Sequence, residues 1–150
     1  MAILITEEAK FIMEDDAVES YPHECCGFLY GEDNDAERKV TKAEPVSNTR
    51  EENRERRFEI SPLEYIKAEE YADNNGLTLL GVYHSHPDHP AVPSEYDLKR
   101  AMPYFSYPIV SVKKGKLDII RSWRLSDDRQ FQEEKLGFTE EVDINDLLTS

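Results

Sequence analysis

The chain has 150 residues, 39% apolar and 33% charged, and its 18 Lys and Arg against 32 Asp and Glu leave a net charge of −14. That length fits a single domain over 1–150, with a core over about 3–125 and an acidic tail after about 136. So acidic a surface repels phosphate backbones and anionic membranes, and no apolar run approaches the roughly 20 residues that span a bilayer. Neither nucleic acid nor membrane is an expected partner.

The first residues lack the basic region of a secretory signal. Cys25 and Cys26 are sequence neighbours and therefore poor disulfide partners, so the expected compartment is a reducing cytoplasm. In chain order, Thr6 before Glu7 and Glu8 makes an N-cap with an acidic first turn. Ala9, Ile12, Met13 and Ala17 follow at helical spacing, predicting a helix to about Ser20 that Pro22 closes. The apolar run 25–30 predicts a buried strand, with a turn from Gly31 through the polar stretch 32–35. A second strand is expected over 39–46. Residues 47–57 are polar throughout and include Arg54, Arg56 and Arg57, which predicts a solvated loop. Phe58-Glu59-Ile60 resumes extended character, and Ser61-Pro62-Leu63-Glu64 combines a capping box with proline at the first helical position. That helix stops at Gly76. Residues 77–83 predict a central strand, and 107–112 with 116–125 a hairpin around Gly115. The acidic residues after Leu136 are expected to fray. Strands and helices alternate without a strict βαβ rhythm, so the expected class is α+β, or mixed α/β.

The chemistry concentrates in Gly81-Val82-Tyr83-His84-Ser85-His86-Pro87 and Pro93-Ser94-Glu95-Tyr96-Asp97. His84 and His86 are two apart at a strand end, and period-two geometry puts both imidazoles on one face. Ser94 sits where a helix should begin, with Asp97 three residues on and on the same helix face. Asp97 alone has a plainer reading as the capping partner of Ser94. Two imidazoles and a carboxylate are the ligand types that zinc prefers, and three protein ligands with an open fourth position is the catalytic arrangement.

His84-x-His86, seven residues, then Ser94-x-x-Asp97 resembles the JAMM motif of the MPN+ zinc metalloproteases. Pro22-His23-Glu24-Cys25-Cys26-Gly27 resembles that family's glutamate-bearing strand entry. Pro45-x-Ser47-Asn48 and Phe58-x-Ile60-Ser61-Pro62 resemble its compact prokaryotic branch, so the likeness runs from about Ile3 to Leu125. The resemblance implies a central mixed β-sheet flanked by helices, with a layout like that of cytidine deaminase. It implies one Zn²⁺ per chain on His84, His86 and Asp97, with water as fourth ligand. Glu24 would be the general base and Ser94 the donor to the tetrahedral oxyanion, in hydrolysis of a peptide or isopeptide bond with no covalent intermediate. A deaminase itself would carry His-x-Glu and Pro-Cys-x-x-Cys, which are absent from the sequence.

The resemblance further implies a substrate: a ubiquitin-like sulfur-carrier protein cleaved after its C-terminal Gly-Gly. The Arg54, Arg56 and Arg57 loop is a candidate contact for that carrier. A non-catalytic MPN scaffold and a zinc hydrolase of a small amide remain alternatives, and the oligomeric state stays open. His89 is expected to be a flexible loop histidine rather than a ligand. Cys26 is read as a small buried residue, and Cys25 should point the opposite way. A thiol protease built on His23 and either cysteine would need the imidazole poised against the thiol, which adjacency does not supply.

Overall fold

The computed structural model describes residues 1–47 and 58–139. The described elements are β1 (Ala2–Thr6), α1 (Glu7–Ser20), β2 (Cys26–Asn34), β3 (Glu37–Val46) and α2 (Pro62–Asn74). They continue with β4 (Thr78–Pro87), α3 (Glu95–Arg100), β5 (Ser106–Lys113), β6 (Lys116–Leu125) and β7 (Phe131–Thr139). The strands pair in the order β1-β3-β2-β4-β5-β6-β7, and β7 returns alongside β1 to close the sheet. Pairs β1/β3, β1/β7 and β4/β5 are parallel and the others antiparallel, so the sheet is mixed and the class is α+β.

Two apolar clusters lie on opposite sides of the sheet. The helical spacing of Ala9, Met13 and Ala17 buries one stripe of α1 against Ile3, Ile5, Leu29, Val40 and Val110. Ala68 and Ala72 of α2 pack with Phe28, Tyr30, Leu79 and Val82. Each fully buried Ile, Leu or Met contributes about 1.5–3 kcal/mol by leaving water. Cys25 joins the first cluster and Cys26 the second, as strand alternation requires.

A bulge in β4 decides which face its end presents. Tyr30 pairs with Leu79 and Leu29 with Gly81, so Leu80 is the extra residue. It drops into the α1 cluster, whereas Leu79 and Val82 belong to the α2 cluster. A Cβ on Gly81 would run into the Ser106 carbonyl, so glycine lets β5 lie beside β4 at this point.

The architecture departs from the sequence expectations in four places. The turn expected at Gly31 lies further on. β2 continues through a register shift at Gly31 to Asn34, and Asp35 turns the chain at φ 62°. β1 precedes α1 directly, with Thr6 serving as both last strand residue and N-cap. Ser61 caps α2 by accepting from the Glu64 N–H, while the reciprocal two-way box occurs at α3. β7 occupies residues expected to belong partly to a fraying tail, and β1 holds it through Thr139. The β5–β6 hairpin turns at Lys114 and Gly115, both at positive φ, as a tight two-residue connection demands.

Candidate metal centre

β4 delivers His84 and His86 past the bulge on the α2 side of the sheet, with Tyr83 in the opposite cluster. The β2/β4 register pairs Cys26 with His84, and the Ser85 N–H donates to the Cys25 carbonyl at 3.1 Å. The Cys25 N–H in turn donates to Ser85 Oγ at 2.8 Å. This clasp brings Glu24 level with His86. From the other side α3 begins at Ser94, whose Oγ accepts from the Asp97 N–H at 3.1 Å while Asp97 Oδ2 accepts from the Ser94 N–H at 2.9 Å. The capping box thus aims the Asp97 carboxylate back toward β4.

The three groups converge. His84 Nε2 and His86 Nε2 are 3.2 Å apart. Asp97 Oδ2 lies 3.2 Å from His84 Nε2 and 3.1 Å from His86 Nε2. One ligating atom from each of Glu24, His84, His86 and Asp97 falls within 4.8 Å of the others, and all four side chains are buried. Phe58 lies against the His84 ring, centroids 4.7 Å apart.

The donor chemistry fits a cation. His86 Nδ1 is 2.8 Å from the Pro90 carbonyl. A carbonyl only accepts, so the proton belongs on Nδ1, and the Nε2 lone pair faces into the cluster. Burial pushes the His84 imidazole down, outweighing the pull of Asp97. Burial pushes the Asp97 carboxyl up, but the two imidazoles more than reverse this and hold it below the usual carboxylate range. Neutral imidazoles and an ionised carboxylate are the ligating forms. Two imidazole nitrogens and a carboxylate oxygen converge at separations that either a shared proton or a cation can bridge, and the donor set suits zinc.

The loop between β4 and α3 is tightly held. Asp88, at φ 58°, accepts from Tyr21 Oη at 2.6 Å and from the Lys114 N–H at 2.7 Å, and its own N–H donates to Val112. The expected flexible histidine in this loop is instead packed. The His89 ring stacks on His86 with centroids 4.7 Å apart and planes 13° from parallel. His89 lies outside the four-residue cluster. Both cysteine thiols are buried, and burial raises both pKa values well above the ordinary thiol range, so neither is a ready nucleophile. Arg54, Arg56 and Arg57 lie outside the described residues. Sequence reading missed the Asp88 anchor and the Pro90 carbonyl; the only signal for either was the proline-rich spacing of Pro87, Pro90 and Pro93.

Beside Glu24 opens a cavity of about 530 Å³, bounded by Asp16, His23 and the 45–47 stretch. The same stretch borders a groove of about 450 Å³ between β3 and α2, walled by Phe28, Tyr30 and Tyr71. The two cavities share residues 45–47 as a common border.

Comparison with known proteins agrees with this geometry. Residues 9–126 match the model of the prokaryotic homologues of the JAB domain. A desampylase of Pyrococcus furiosus is 32% identical over 79% of each chain. A desampylase of Haloferax volcanii is 44% identical over 60% of this chain and 63% of that one. A probable TtuB-protein conjugate cleaving protease of Thermus thermophilus is 50% identical over 27% of each. A solution structure of a Desulfitobacterium hafniense protein superposes with TM-score 0.82 at 30% identity, covering 95% of this chain and 96% of the other. A JAB1/MPN domain protein of Archaeoglobus fulgidus shares the fold at TM-score 0.56 and 19% identity, over 91% and 98% of the two chains.

The fold and its buried His-His-Asp-Glu cluster define a zinc metallohydrolase of the JAMM type. The chain belongs to the prokaryotic JAB-domain family.

Proposed function

We propose that the protein is a zinc-dependent isopeptidase acting on conjugates of a ubiquitin-like sulfur-carrier protein, cleaving after the carrier's C-terminal Gly-Gly. The observation that carries this reading is the buried convergence of His84, His86 and Asp97 beside Glu24. The names of the Pyrococcus and Haloferax relatives, and the conjugate-cleaving activity named for the Thermus relative, support the substrate class. His84, His86 and Asp97 would hold the ion. When bound, zinc supplies a Lewis acid and lowers the pKa of a coordinated water to about 7.

The chain's own residues do the rest. Glu24, at the mouth of its cavity, takes the proton of the attacking water and returns it to the leaving amine. Ser94 Oγ accepts from the Asp97 N–H, so its own O–H is free to donate to the carbonyl oxygen as charge develops there. The cavity beside Glu24, bordered by residues 45–47, suits the end of an extended tail, and glycines in that tail let its backbone come close. Two free cysteines fit a reducing cytoplasm as the place of reaction.

The test is intact-mass spectrometry of a ubiquitin-like carrier extended beyond Gly-Gly, either by a peptide or through a lysine side chain. It is incubated with zinc-loaded protein and with a chelated control. Metal-dependent loss of the mass beyond Gly-Gly is expected, and an unchanged mass with zinc verified in the sample would reject this substrate.

A further inference from the structure

The carbonyl that orients His86 belongs to Pro90, in the middle of the loop between β4 and α3. The carbonyls on either side of it are each held by a side chain from elsewhere in the sheet. Ser111 Oγ on β5 donates to the His89 carbonyl at 2.8 Å. Trp123 Nε1 on β6 donates to the Ala91 carbonyl at 3.0 Å. Three successive carbonyls, at 89, 90 and 91, therefore meet donors from β5, β4 and β6 in turn. Pro90 fixes its own φ and has no N–H to offer, so beyond the Asp88 anchor these carbonyls are what tie the middle of the loop to the sheet. Ser111 is buried, and Ala91, which Trp123 holds, is buried too.

Neither Ser111 nor Trp123 is among the four cluster residues, yet each holds a carbonyl adjacent to the Pro90 oxygen, adding to the Asp88 anchor and to the Val92 N–H that donates to Pro90 at 2.8 Å. If the loop shifts, His86 Nδ1 loses its acceptor, and the ring can turn or carry its proton on the nitrogen that faces the cluster.

We propose that Ser111 and Trp123 are positioning residues for the metal centre, acting through the 89–91 backbone to fix the tautomer and orientation of His86. This rests on the reading of His84, His86 and Asp97 as zinc ligands. It makes β5 and β6 part of the metal-binding apparatus although they contribute no ligand.

The experiment measures zinc affinity of the full chain by competition with a chromophoric chelator. The proteins compared are wild type, His86→Ala, Ser111→Ala, Trp123→Phe and the Ser111→Ala/Trp123→Phe double variant. Trp123→Phe keeps a six-membered aromatic ring and removes the indole donor with its smaller ring, and Ser111→Thr restores a hydroxyl as the rescue. Substitutions that loosen a ligand's hydrogen-bond partner cost about 10–100-fold in metal affinity. A loss of about tenfold is expected for each single variant, at the low end of that range, with a larger loss for the double. The His86 Nδ1–H resonance should be sharp in wild type and broadened by exchange in the variants. A purely structural role would lower the melting temperature of the chelated protein and leave zinc affinity at 25 °C unchanged; that result in both single variants overturns the proposal. The two residues sit on different strands, so if one variant does not fold the other decides. His86→Ala with undiminished zinc affinity would instead overturn the assignment of ligands.

Discussion

Ser94 and Asp97 hold each other across the first turn of α3, and the Asp97 oxygen that accepts the Ser94 N–H is the same Oδ2 that faces both imidazoles. A helix cap and the proposed metal ligand are thus one atom. Ser94→Ala should act twice: removing the N-cap costs about 0.5–2 kcal/mol of stability, and removing the hydroxyl donor costs about 10²–10³ in kcat. Ser94→Thr should restore both. Thermal melting and kcat on the carrier substrate separate the two effects, and an unchanged kcat in Ser94→Ala would remove the hydroxyl from the chemistry.

Glu24→Gln preserves the shape of the site while removing the proton acceptor. It should bind zinc as wild type does and lose turnover by about 10²–10⁴-fold. His86→Ala should lose zinc and turnover together. Metal content by plasma mass spectrometry alongside steady-state rates gives the answer, and a fully active Glu24→Gln would mean that another group moves the proton.

Metal removal tests the centre thermodynamically. An ion that binds only the folded chain stabilises it by about 2.7 kcal/mol when present at 100 times its dissociation constant. Melting temperature should therefore rise with free zinc and fall on chelation, with activity following in parallel. A melting curve indifferent to zinc would contradict a metal site built into the folded core.

Asp16 offers a pH test away from the ligands. Burial raises its carboxyl above the ordinary 3.8, although Tyr83 donates to it at 2.7 Å. The folded chain keeps this proton to higher pH than the unfolded chain does. The stability it contributes is present in full below the unfolded value and is lost as pH rises through the folded one. Near neutrality the ionised group is a cost. Asp16→Asn, which still offers Tyr83 an oxygen, should melt higher than wild type at neutral pH, with the advantage shrinking as the buffer approaches about pH 4. Melts across that range would refute the reading if the two proteins ran in parallel.

Gly81→Ala should be among the most damaging single changes in the sheet, because the added methyl meets the Ser106 carbonyl rather than a yielding side chain. Loss of soluble, cooperatively melting protein is the expected result, and a normal melting curve would show that β5 can stand further from β4.

Much of the site was legible because its residues are close in sequence and strand and helix periods are rigid. Two histidines two apart had to share a face unless a bulge intervened, and the bulge at Leu80 falls before them. The cap at Ser94 and the helix stop at Gly76 are local chemistry, as is the hairpin at Lys114-Gly115. What stayed hidden was long-range. Nothing within residues 131–139 announces that they pair with β1, because their exposure follows from a partner at the other end of the chain. Gly31 looked like a turn because glycine permits one, whereas its role is close packing against the Lys39 carbonyl. The stacking of His89 on His86 depends on how Asp88 and Ser111 pin the loop, and no pattern in the sequence joins those positions.

The pairing of β1 with β7 also has a kinetic side. Ala2 lies beside Lys135, so this pairing joins residues from opposite ends of the described chain. Such distant pairings come slowly, since the loop must close before the contact repays it. All four residues of the metal cluster, from Glu24 to Asp97, are made well before β7. Until β7 docks, however, β1 and β6 each present an unpaired edge to neighbouring chains. The nascent protein thus passes through a stage in which every residue of the cluster exists while its sheet can still be joined by a stranger's strand, and it is β7, remote from the cluster in sequence, that ends that exposure.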